Sequence, residues 1–229
     1  MAGNIVREVD DWIRPRHVLI SVSDKRNLPV LVNGLTTINE GVRLYSTGGT
    51  YTKISEILGQ AGAAKHLIRV SAYTGQPETQ GGLVKTLDFK IYLGLLTETY
   101  NPAHQQDLER TEAVPIDMVA CNLYPFAETV GKPDVTVEAA RANIDIGGPT
   151  MVRASAKNYL RVASLTDPDD YNRIISKMRA AGGRIDLKTR FALAKKAFAH
   201  TAEYDATIAK WLAERSDDEM EGCYEKKGA

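Results

Sequence analysis

The sequence predicts an α/β protein built around a mostly parallel, doubly wound sheet. Short apolar, β-branched runs of strand length recur along the chain, and segments with helical spacing of apolar residues separate them. Alternation of this kind favours parallel strands joined by crossover helices. The 229 residues, of which 43% are apolar, are enough for one large domain with a sizeable core.

Predicted strands and helices alternate along the first half of the chain. The run "HVLISV" is followed by Ser23 and Asp24, two good helix caps, and then by apolar residues at helical spacing. The glycine turn "STGGT" separates a second strand from a second helix in the same way. In chain order we predict a strand at 17–22, a helix at 27–38, a strand at 42–45, a helix at 51–60 and a strand at 66–70.

The second half begins with a long segment, 71–86, that contains glycines, a proline and little periodicity. Segments of this kind are usually functional or disordered loops. The apolar pattern at 87–99 is ambiguous, and a helix is favoured over a strand. A glycine turn places Pro149 at the first position of a predicted helix. The remaining predictions are helices at 104–111, 136–144, 149–159, 167–183 and 186–215 and strands at 116–124 and 161–166.

The composition excludes several classes of function. Lys plus Arg and Asp plus Glu both number 29, so no global field would attract nucleic acid or an anionic membrane. Two cysteines without a CxxC motif argue against zinc and against a disulfide framework, which fits a reducing cytosol. The first residues are too polar for a signal peptide, and no apolar run reaches the roughly 18 residues of a membrane span. We therefore expect a cytoplasmic protein.

Two turns at the carboxyl ends of neighbouring strands could hold an anion. In "STGGT", glycines let backbone N–H groups converge at a helix N-terminus, and Thr47 and Thr50 add hydroxyl groups. "SVSDK" offers Ser21, Ser23 and Lys25 to the same edge of the sheet. The alternative is that these are ordinary turn and cap residues. Together, the two turns predict a phosphate site including Gly48 and Gly49.

Three further residues follow these turns in the chain. Lys85, at the end of the long loop, is either a solvated surface lysine or part of a lid over a bound anion. Asn122 and Tyr124 end the strongest strand and share one face of it by the period of two. Tyr124 could present its hydroxyl at the sheet edge, or it could pack at the margin of the core.

Asp145 and Lys157 flank the helix that follows the Gly-Gly-Pro turn. Asp145 is either a helix cap or a functional carboxylate. The small and apolar residues before Lys157 indicate a partly desolvated lysine, which would suit proton transfer. Eight helical residues separate Pro149 from Lys157, a rise of roughly 12 Å. Contact between Asp145 and Lys157 within one subunit is therefore left open.

These motifs, in this order, resemble those of the inosine monophosphate cyclohydrolase family. The similar stretches are "SVSDK", "STGGT", "TGQPETQGGLVKTL", "VACNLYPF", "TVEAARANIDIGGPTMVRASAKN" and "KAFAHTAEYD", and they cover roughly residues 16–212. In that family this domain is fused to a formyltransferase. The resemblance implies one methylglyoxal-synthase-like domain at 16–215 with a three-layer α/β/α fold. Residues 1–15 are then an N-terminal extension, and the polar residues 216–229 are expected to be a flexible tail. Because the formyltransferase half is missing, we expect a stand-alone domain or a fragment.

The resemblance also implies an activity. The family closes the purine ring of 5-formamidoimidazole-4-carboxamide ribotide to give inosine monophosphate and water, without cofactor or metal, and usually as a homodimer. Its nucleotide-binding and catalytic positions fall here on Ser21, Ser23, Lys25, Thr47, Gly48, Gly49, Thr50, Lys85, Thr86, Cys121, Asn122, Tyr124, Asp145, Ile146, Gly147 and Lys157. A nucleotide substrate is the expected partner, with a separate formyltransferase possible and no nucleic acid or membrane.

Roles for these side chains follow from the chemistry. We expect Asp145 to polarise the carboxamide N–H, and Lys157 with Tyr124 to move protons to and from the formyl oxygen. Donors for the developing oxyanion are the Asn122 amide, backbone N–H groups near 146–148 and Lys85. Two alternatives share the fold: a methylglyoxal synthase acting on a small phosphate ester, and a non-catalytic nucleotide-sensing module.

The chain departs from the family pattern at two places. Leu83 stands where the family has an arginine, and Asp88 and Phe89 replace a His-Pro pair. Loss of the arginine removes a bidentate phosphate contact. Lys25, Lys85 or another cation must then supply more of the positive charge.

Overall fold

The structure is a computed structural model that describes residues 5–77 and 85–228. Its strands are β1 (Trp12–Ile13), β2 (His17–Val22), β3 (Arg43–Ser46), β4 (Leu67–Arg69), β5 (Met118–Asn122), β6 (Ala163–Leu165) and β7 (Ile185–Asp186). Five of them form a parallel sheet in the order β4-β3-β2-β5-β6, while β1 pairs antiparallel with β7. The predicted parallel sheet is confirmed.

Helices connect the strands. In chain order they are α1 (Leu28–Ile38), α2 (Gly48–His66), α3 (Val70–Thr74), α4 (Phe89–Leu96), α5 (Pro102–Arg110), α6 (Phe126–Val130), α7 (Val137–Ala142), α8 (Gly147–Lys157), α9 (Tyr171–Ala180), α10 (Leu187–Ala213) and α11 (Asp217–Glu221). A 3-10 turn at Pro168–Asp170 precedes α9. The helix favoured at 87–99 is present as α4.

Helices cover both faces of the central sheet, which gives the predicted three layers. Side chains alternate along β2, so Val18 and Ile20 pack against α1 and α9, while Leu19 packs on the face covered by α4, α8 and α10. The inner strand β5 is buried along its whole length. Strands buried on both faces are what a doubly wound parallel sheet requires.

Helices α2, α3 and α8 differ from the sequence prediction in ways that affect the site or the sheet. α2 begins at Gly48 rather than at residue 51 and continues to His66 through a non-helical kink at Gly59, because the glycine turn itself forms the first helical turn. α3 occupies residues that were predicted as strand and loop. α8 begins at Gly147, two residues before Pro149. Proline is tolerated there because N–H groups of the first turn have no helical acceptor.

Segments near both ends contain elements that the sequence did not predict. In the expected N-terminal extension, Trp12–Ile13 pairs with Ile185–Asp186. In the expected flexible tail, Asp217–Glu221 is a short helix with a capping box formed by Ser216 and Glu219. Two- and five-residue elements are too short to show a period in the sequence.

A buried arginine joins these parts of the fold. Arg190, in α10, has no exposed surface. Its guanidinium donates hydrogen bonds to five backbone carbonyls, those of Asp10, Asp11, Tyr159, Leu160 and Ile185. Burial lowers the pKa of Arg190, although nearby carboxylates oppose this effect. The contacts fix the segment before β1 against β7 and the end of α8.

Across residues 5–77 and 85–228, no helix has both the length and the apolar composition needed to span a bilayer.

Candidate functional site

A cleft of about 380 Å³ lies at the carboxyl edge of the sheet. It opens where β2, β3 and β5 end and where α2 and α8 begin, the place at which open α/β sheets bind ligands. The structure brings together all of the sequence-predicted site residues except Lys157. Those that line the cleft are Ser21, Ser23, Lys25, Thr47, Gly48, Gly49, Thr50, Lys85, Thr86, Cys121, Asn122, Tyr124, Asp145, Ile146 and Gly147.

The N-terminus of α2 forms one wall of the cleft. Thr47 is its N-cap in extended geometry, and the Thr47 side chain makes no capping hydrogen bond. Gly48 has φ of 53°, a left-handed conformation that favours glycine. The first N–H groups of the helix have no helical acceptor and carry the positive end of the helix dipole. This turn can therefore hold an anion such as a phosphate.

The Thr50 hydroxyl has a different role from the predicted one. Its Oγ1 accepts a hydrogen bond from the Val22 N–H at 3.2 Å and donates to the Val22 carbonyl at 3.0 Å. The side chain is 6% exposed. Thr50 thus fastens the start of α2 to the end of β2, and only its backbone N–H remains for a ligand.

Lys85 and Thr86 connect the two helix starts across the cleft. A methyl group placed on Gly48 would lie 3.4 Å from the Lys85 Nζ, so the ammonium group lies directly over the α2 turn. A methyl group on Gly147 would lie 3.1 Å from the Thr86 Oγ1. Leu83, at the position where the resemblance implies an arginine, lies outside the described residues. Lys25 and Lys85 are the cations that line the described part of the cleft.

Asn122 organises the loop after β2. Its Oδ1 accepts hydrogen bonds from the Ser23 and Asp24 N–H groups at 2.7 and 2.8 Å. Its Nδ2 donates to the Asp24 carbonyl at 2.8 Å. The Lys25 ammonium folds back onto the carbonyls of Val22 and Ser23 at 3.4 and 3.3 Å. The Asn122 amide therefore uses three hydrogen bonds to hold this loop, and it positions the loop rather than binding a reacting oxygen.

Asp145 lies at the opposite wall, just before α8. Its Oδ1 accepts a hydrogen bond from the Gly148 N–H at 2.9 Å, and its backbone N–H donates to the Tyr204 hydroxyl at 2.8 Å. A side chain on Gly148 would collide with the Asp145 carboxylate and with Leu123. The carboxylate is thus held against the start of α8, and its second oxygen is the acceptor that remains for a ligand.

Tyr124 and Cys121 differ sharply in exposure. Tyr124 is 57% exposed at the rim of the cleft. Cys121 is buried in β5, and burial raises the pKa of its thiol, with the Asp145 carboxylate adding to the effect. A thiol with a raised pKa is not a nucleophile at neutral pH. Tyr124 is the side chain at this strand end that can reach a substrate.

Two protein-family models match this chain. The model of the MGS-like domain matches residues 31–150, and that of the AICARFT/IMPCHase bienzyme matches residues 155–228. The chain belongs to the MGS-like family, and its residues 155–228 are similar to the AICARFT/IMPCHase bienzyme.

Individual relatives of this MGS-like chain agree with that assignment. It is 47% identical over 205 residues to the bifunctional purine biosynthesis protein PurH of Synechococcus sp. strain CC9605, covering 90% of this chain. It is 45% identical over 210 residues to PurH of Neisseria meningitidis serogroup A, covering 92% of this chain. The chain spans 38% of the length of each of these two relatives.

A solved structure gives the same fold. The crystal structure of ForH superposes with a TM-score of 0.72 at 32% identity. The match covers 86% of this chain and 99% of the ForH chain. The methylglyoxal-synthase-like architecture expected from the sequence is therefore confirmed.

Lys157 lies away from the cleft of its own MGS-like domain. It is the last residue of α8, which has eleven residues, and is exposed. At the helical rise, it lies about 15 Å along the axis from Gly147. The predicted partial burial of Lys157 is wrong because Ala154 and Ala156 face the core, whereas Arg153 and Lys157 share the exposed face four residues apart.

Sequence reasoning missed several residues of the site. Gly148 has no room for a side chain beside Asp145, and the second glycine of "GGPT" was the available signal. Tyr204, which contacts Asp145, lies in the "HTAEYD" stretch, for which the sequence alone indicated no role. Val22, Leu87, Ala142 and Ile144 also line the cleft. In the described part of the chain, no group of three or more His, Cys, Asp or Glu side chains could hold a metal ion.

Proposed function

We propose that this chain is an IMP cyclohydrolase that closes the purine ring of 5-formamidoimidazole-4-carboxamide ribotide to give inosine monophosphate and water. One observation carries the proposal. A single cleft combines a helix turn suited to phosphate, the Lys85 ammonium above it, and the Tyr124 phenol and the Asp145 carboxylate at the other end. The function of the PurH relatives in purine biosynthesis supports it.

The proposed orientation follows from the charges. The phosphate lies at the N-terminus of α2, with Gly48, Gly49 and Thr50 donating through backbone N–H groups and Lys85 supplying the nearest positive charge. Thr47 and Ser23 offer hydroxyl groups beside it. The imidazole then extends toward Tyr124 and Asp145, which places the two reacting arms at the start of α8.

The ring closure needs no external oxidant or reductant. The carboxamide nitrogen attacks the formyl carbon, that nitrogen loses one proton, and the formyl oxygen gains one. The resulting hydroxyl then accepts a second proton and leaves as water, while the formamido nitrogen loses its proton to complete the C=N bond. Holding the two arms in a near-attack conformer can supply a large part of the rate.

Asp145 and Tyr124 are the proposed proton-handling groups. The free carboxylate oxygen of Asp145 accepts from the carboxamide N–H, because its other oxygen is already bound to the Gly148 N–H. The exposed Tyr124 hydroxyl faces the formyl oxygen. The backbone N–H of Gly147, at the start of α8, is the proposed donor to the developing oxyanion, since the Gly148 N–H is already bound to Asp145. Asn122 acts as a positioning residue for the loop that carries Ser23 and Lys25.

We assign Lys157 to the site of a second copy in a homodimer. The exposed face of α8 that carries Lys157 is flanked by half-exposed aromatic rings of α10, Phe191 and Phe198. Arg153 lies over the Phe198 ring at 5.7 Å. Half-exposed aromatic rings beside arginine are typical of subunit interfaces.

A separate formyltransferase would supply the formylated substrate.

The direct test follows purine absorbance while the purified chain is incubated with the formamido ribotide. We expect turnover in the wild type and a loss in Asp145→Asn of roughly 100- to 10,000-fold in kcat, since a general base is removed. Asn can still accept from the Gly148 N–H, so the fold is retained. Asp24→Asn is the matched control, because the Asp24 carboxylate pairs with Arg26 outside the cleft.

Other outcomes identify the alternatives. Tight binding of inosine monophosphate without any turnover would favour a nucleotide-sensing module. Release of methylglyoxal from a triose phosphate would favour a methylglyoxal synthase. An Asp145→Asn variant with wild-type kcat would contradict the assigned role of the carboxylate.

A further inference from the structure

Tyr204 in α10 contacts the loop that carries Asp145. The Tyr204 hydroxyl oxygen accepts a hydrogen bond from the Asp145 backbone N–H at 2.8 Å, across 59 residues of sequence. Asp145 lies between α7 and α8, outside any regular element. Its backbone N–H therefore depends on a tertiary contact for a partner.

The Tyr204 ring is itself held firmly. Tyr204 is 9% exposed and packs edge-on against Phe126 at 6.4 Å. Phe126 in turn packs edge-on against Trp211, with ring centroids 6.2 Å apart. Tyr204 and Trp211 both lie on the long helix α10, so the three rings form a cluster on that helix. Phe126 follows Tyr124 by two residues. The same cluster therefore supports both segments that bring polar side chains to the reacting end of the cleft.

Asp145 is fixed at two points. Tyr204 holds its backbone from outside the cleft, and the Gly148 N–H holds one carboxylate oxygen from inside. With the Tyr204 contact present, the second carboxylate oxygen has a defined position relative to α8. Catalytic rates are sensitive to small displacements of a reacting group, because a misplacement of about 1 Å can cost about a hundredfold in rate.

We propose that Tyr204 is a positioning residue for Asp145, acting through the hydrogen bond from the Asp145 backbone N–H to its hydroxyl oxygen. This inference rests on the proposed cyclohydrolase function for its kinetic consequence. Burial raises the pKa of Tyr204, and its hydroxyl oxygen accepts the Asp145 N–H as part of a neutral phenol. Tyr204 is not among the residues that line the cleft, so we expect it to act on Asp145 and not on the substrate directly.

The test compares Tyr204→Phe with Tyr171→Phe. Both substitutions remove one buried hydroxyl and keep the ring, but the Tyr171 hydroxyl has no hydrogen-bond partner among the described residues. For Tyr204→Phe we expect kcat to fall roughly 10- to 100-fold while KM and the affinity for inosine monophosphate change by less than about twofold. Tyr171→Phe should leave kcat, KM and affinity within about twofold of the wild type.

A second measurement does not depend on turnover. In ¹⁵N-labelled protein, hydrogen exchange of the Asp145 amide should accelerate at least about tenfold in Tyr204→Phe and stay unchanged in Tyr171→Phe, because only the former loses the acceptor of that N–H. Unchanged exchange in Tyr204→Phe would show that the hydroxyl does not hold Asp145. Unchanged kcat, or parallel losses of kcat and nucleotide affinity, would also overturn the positioning role.

The outcome separates this inference from the proposed function. If the wild-type chain closes no ring, the proposed function fails and the kinetic role of Tyr204 fails with it. The exchange rate of the Asp145 amide then still decides whether Tyr204 holds this loop. If the wild type is active and Tyr204→Phe matches it in both measurements, only the inference fails.

Discussion

Gly48 combines a backbone requirement with a steric one. Its φ of 53° turns the chain from β3 into α2, and the Lys85 ammonium lies directly above it. Gly49, the next residue, begins the regular helix, and a methyl group at its Cβ position would meet no atom within 4 Å. The two adjacent glycines thus lack a side chain for different reasons. Gly48 needs its left-handed backbone conformation, whereas the absence of a side chain at Gly49 leaves the cleft open.

Gly48→Ala should therefore destabilise the protein, whereas Gly49→Ala should not. A left-handed conformation costs an alanine about 1–2 kcal/mol. At Gly49, alanine is favoured over glycine in helical geometry by up to about 1 kcal/mol. Urea unfolding of both variants measures the difference in the free energy of unfolding. Equal stability of the two variants would show that the positive φ is not required.

At the residue scale, sequence reasoning located the cleft but not every role within it. Residues at the carboxyl ends of parallel strands meet at one edge, so Ser21, Thr47 and Tyr124 could be predicted to converge. Hydrogen bonds across the edge could not be predicted, because they depend on the register of strands distant in sequence. Thr50 binding Val22 and Asn122 binding Asp24 are such cases. The small residues before Lys157 suggested a partly desolvated lysine, but Ala154 and Ala156 face the core and leave Lys157 on the exposed face of α8.

At the scale of elements, Lys196 ties α10 to the turn before α9. Its Nζ lies 2.6 Å from the Asp167 Oδ2 and 2.7 Å from the Asp170 Oδ2. A hydrogen bond from Lys196 lowers the pKa of Asp167. Burial opposes the same effect at Asp170, but hydrogen bonds from Lys196 and Arg173 outweigh it and lower the pKa there too.

Lys196→Gln should reduce stability at neutral pH more than in acid. Carboxylates with lowered folded pKa values contribute stability above the unfolded pKa of about 3.9, and this contribution is lost as pH falls through the folded pKa. We expect the variant to lose about 1 kcal/mol at pH 7, given partial exposure of the pairs, and less at pH 3. Denaturant unfolding at both pH values measures this.

Lys188→Gln serves as the control for this prediction, because Lys188 is an exposed lysine on the same helix. Its effect should stay within about 0.5 kcal/mol at both pH values. A loss in Lys196→Gln that is as large at pH 3 as at pH 7 would contradict the ion-pair explanation and would indicate lost packing instead.

The central sheet and its long helices could be predicted from sequence, and the short elements could not. Apolar periodicity identified β2, β5 and α10 because each buries a continuous face. α3 and the β1–β7 pair depend on tertiary contacts: Val70 is buried under the sheet, and Trp12 meets Asp186 across the fold. Elements of two to five residues carry too few side chains for a period to appear.

At the scale of the whole molecule, the position of Lys157 predicts that two copies share each site. In a two-fold symmetric dimer, each cleft would combine its own Asp145 with the lysine of the other copy. Mixing inactive Lys157→Ala and Asp145→Asn chains would then create one intact site in each mixed dimer. Statistical pairing should restore about a quarter of the wild-type activity.

Purine absorbance after co-refolding the two variants measures the recovery, with each variant refolded alone as the control. Activity equal to the average of the two separate variants would contradict a shared site. It would leave Lys157 without access to any cleft, since its own cleft begins at the other end of α8.

The hydrogen bonds of Arg190 also set an order of events during synthesis. Its guanidinium is bonded to a carbonyl 179 residues earlier in the chain, at Asp11. At a translation rate of 5–20 residues per second, that carbonyl waits roughly 10 to 35 seconds on a ribosome before its partner emerges. The first residues of the fold are therefore among the last to dock, and a nascent chain stopped before residue 190 would leave them accessible to chaperones and proteases.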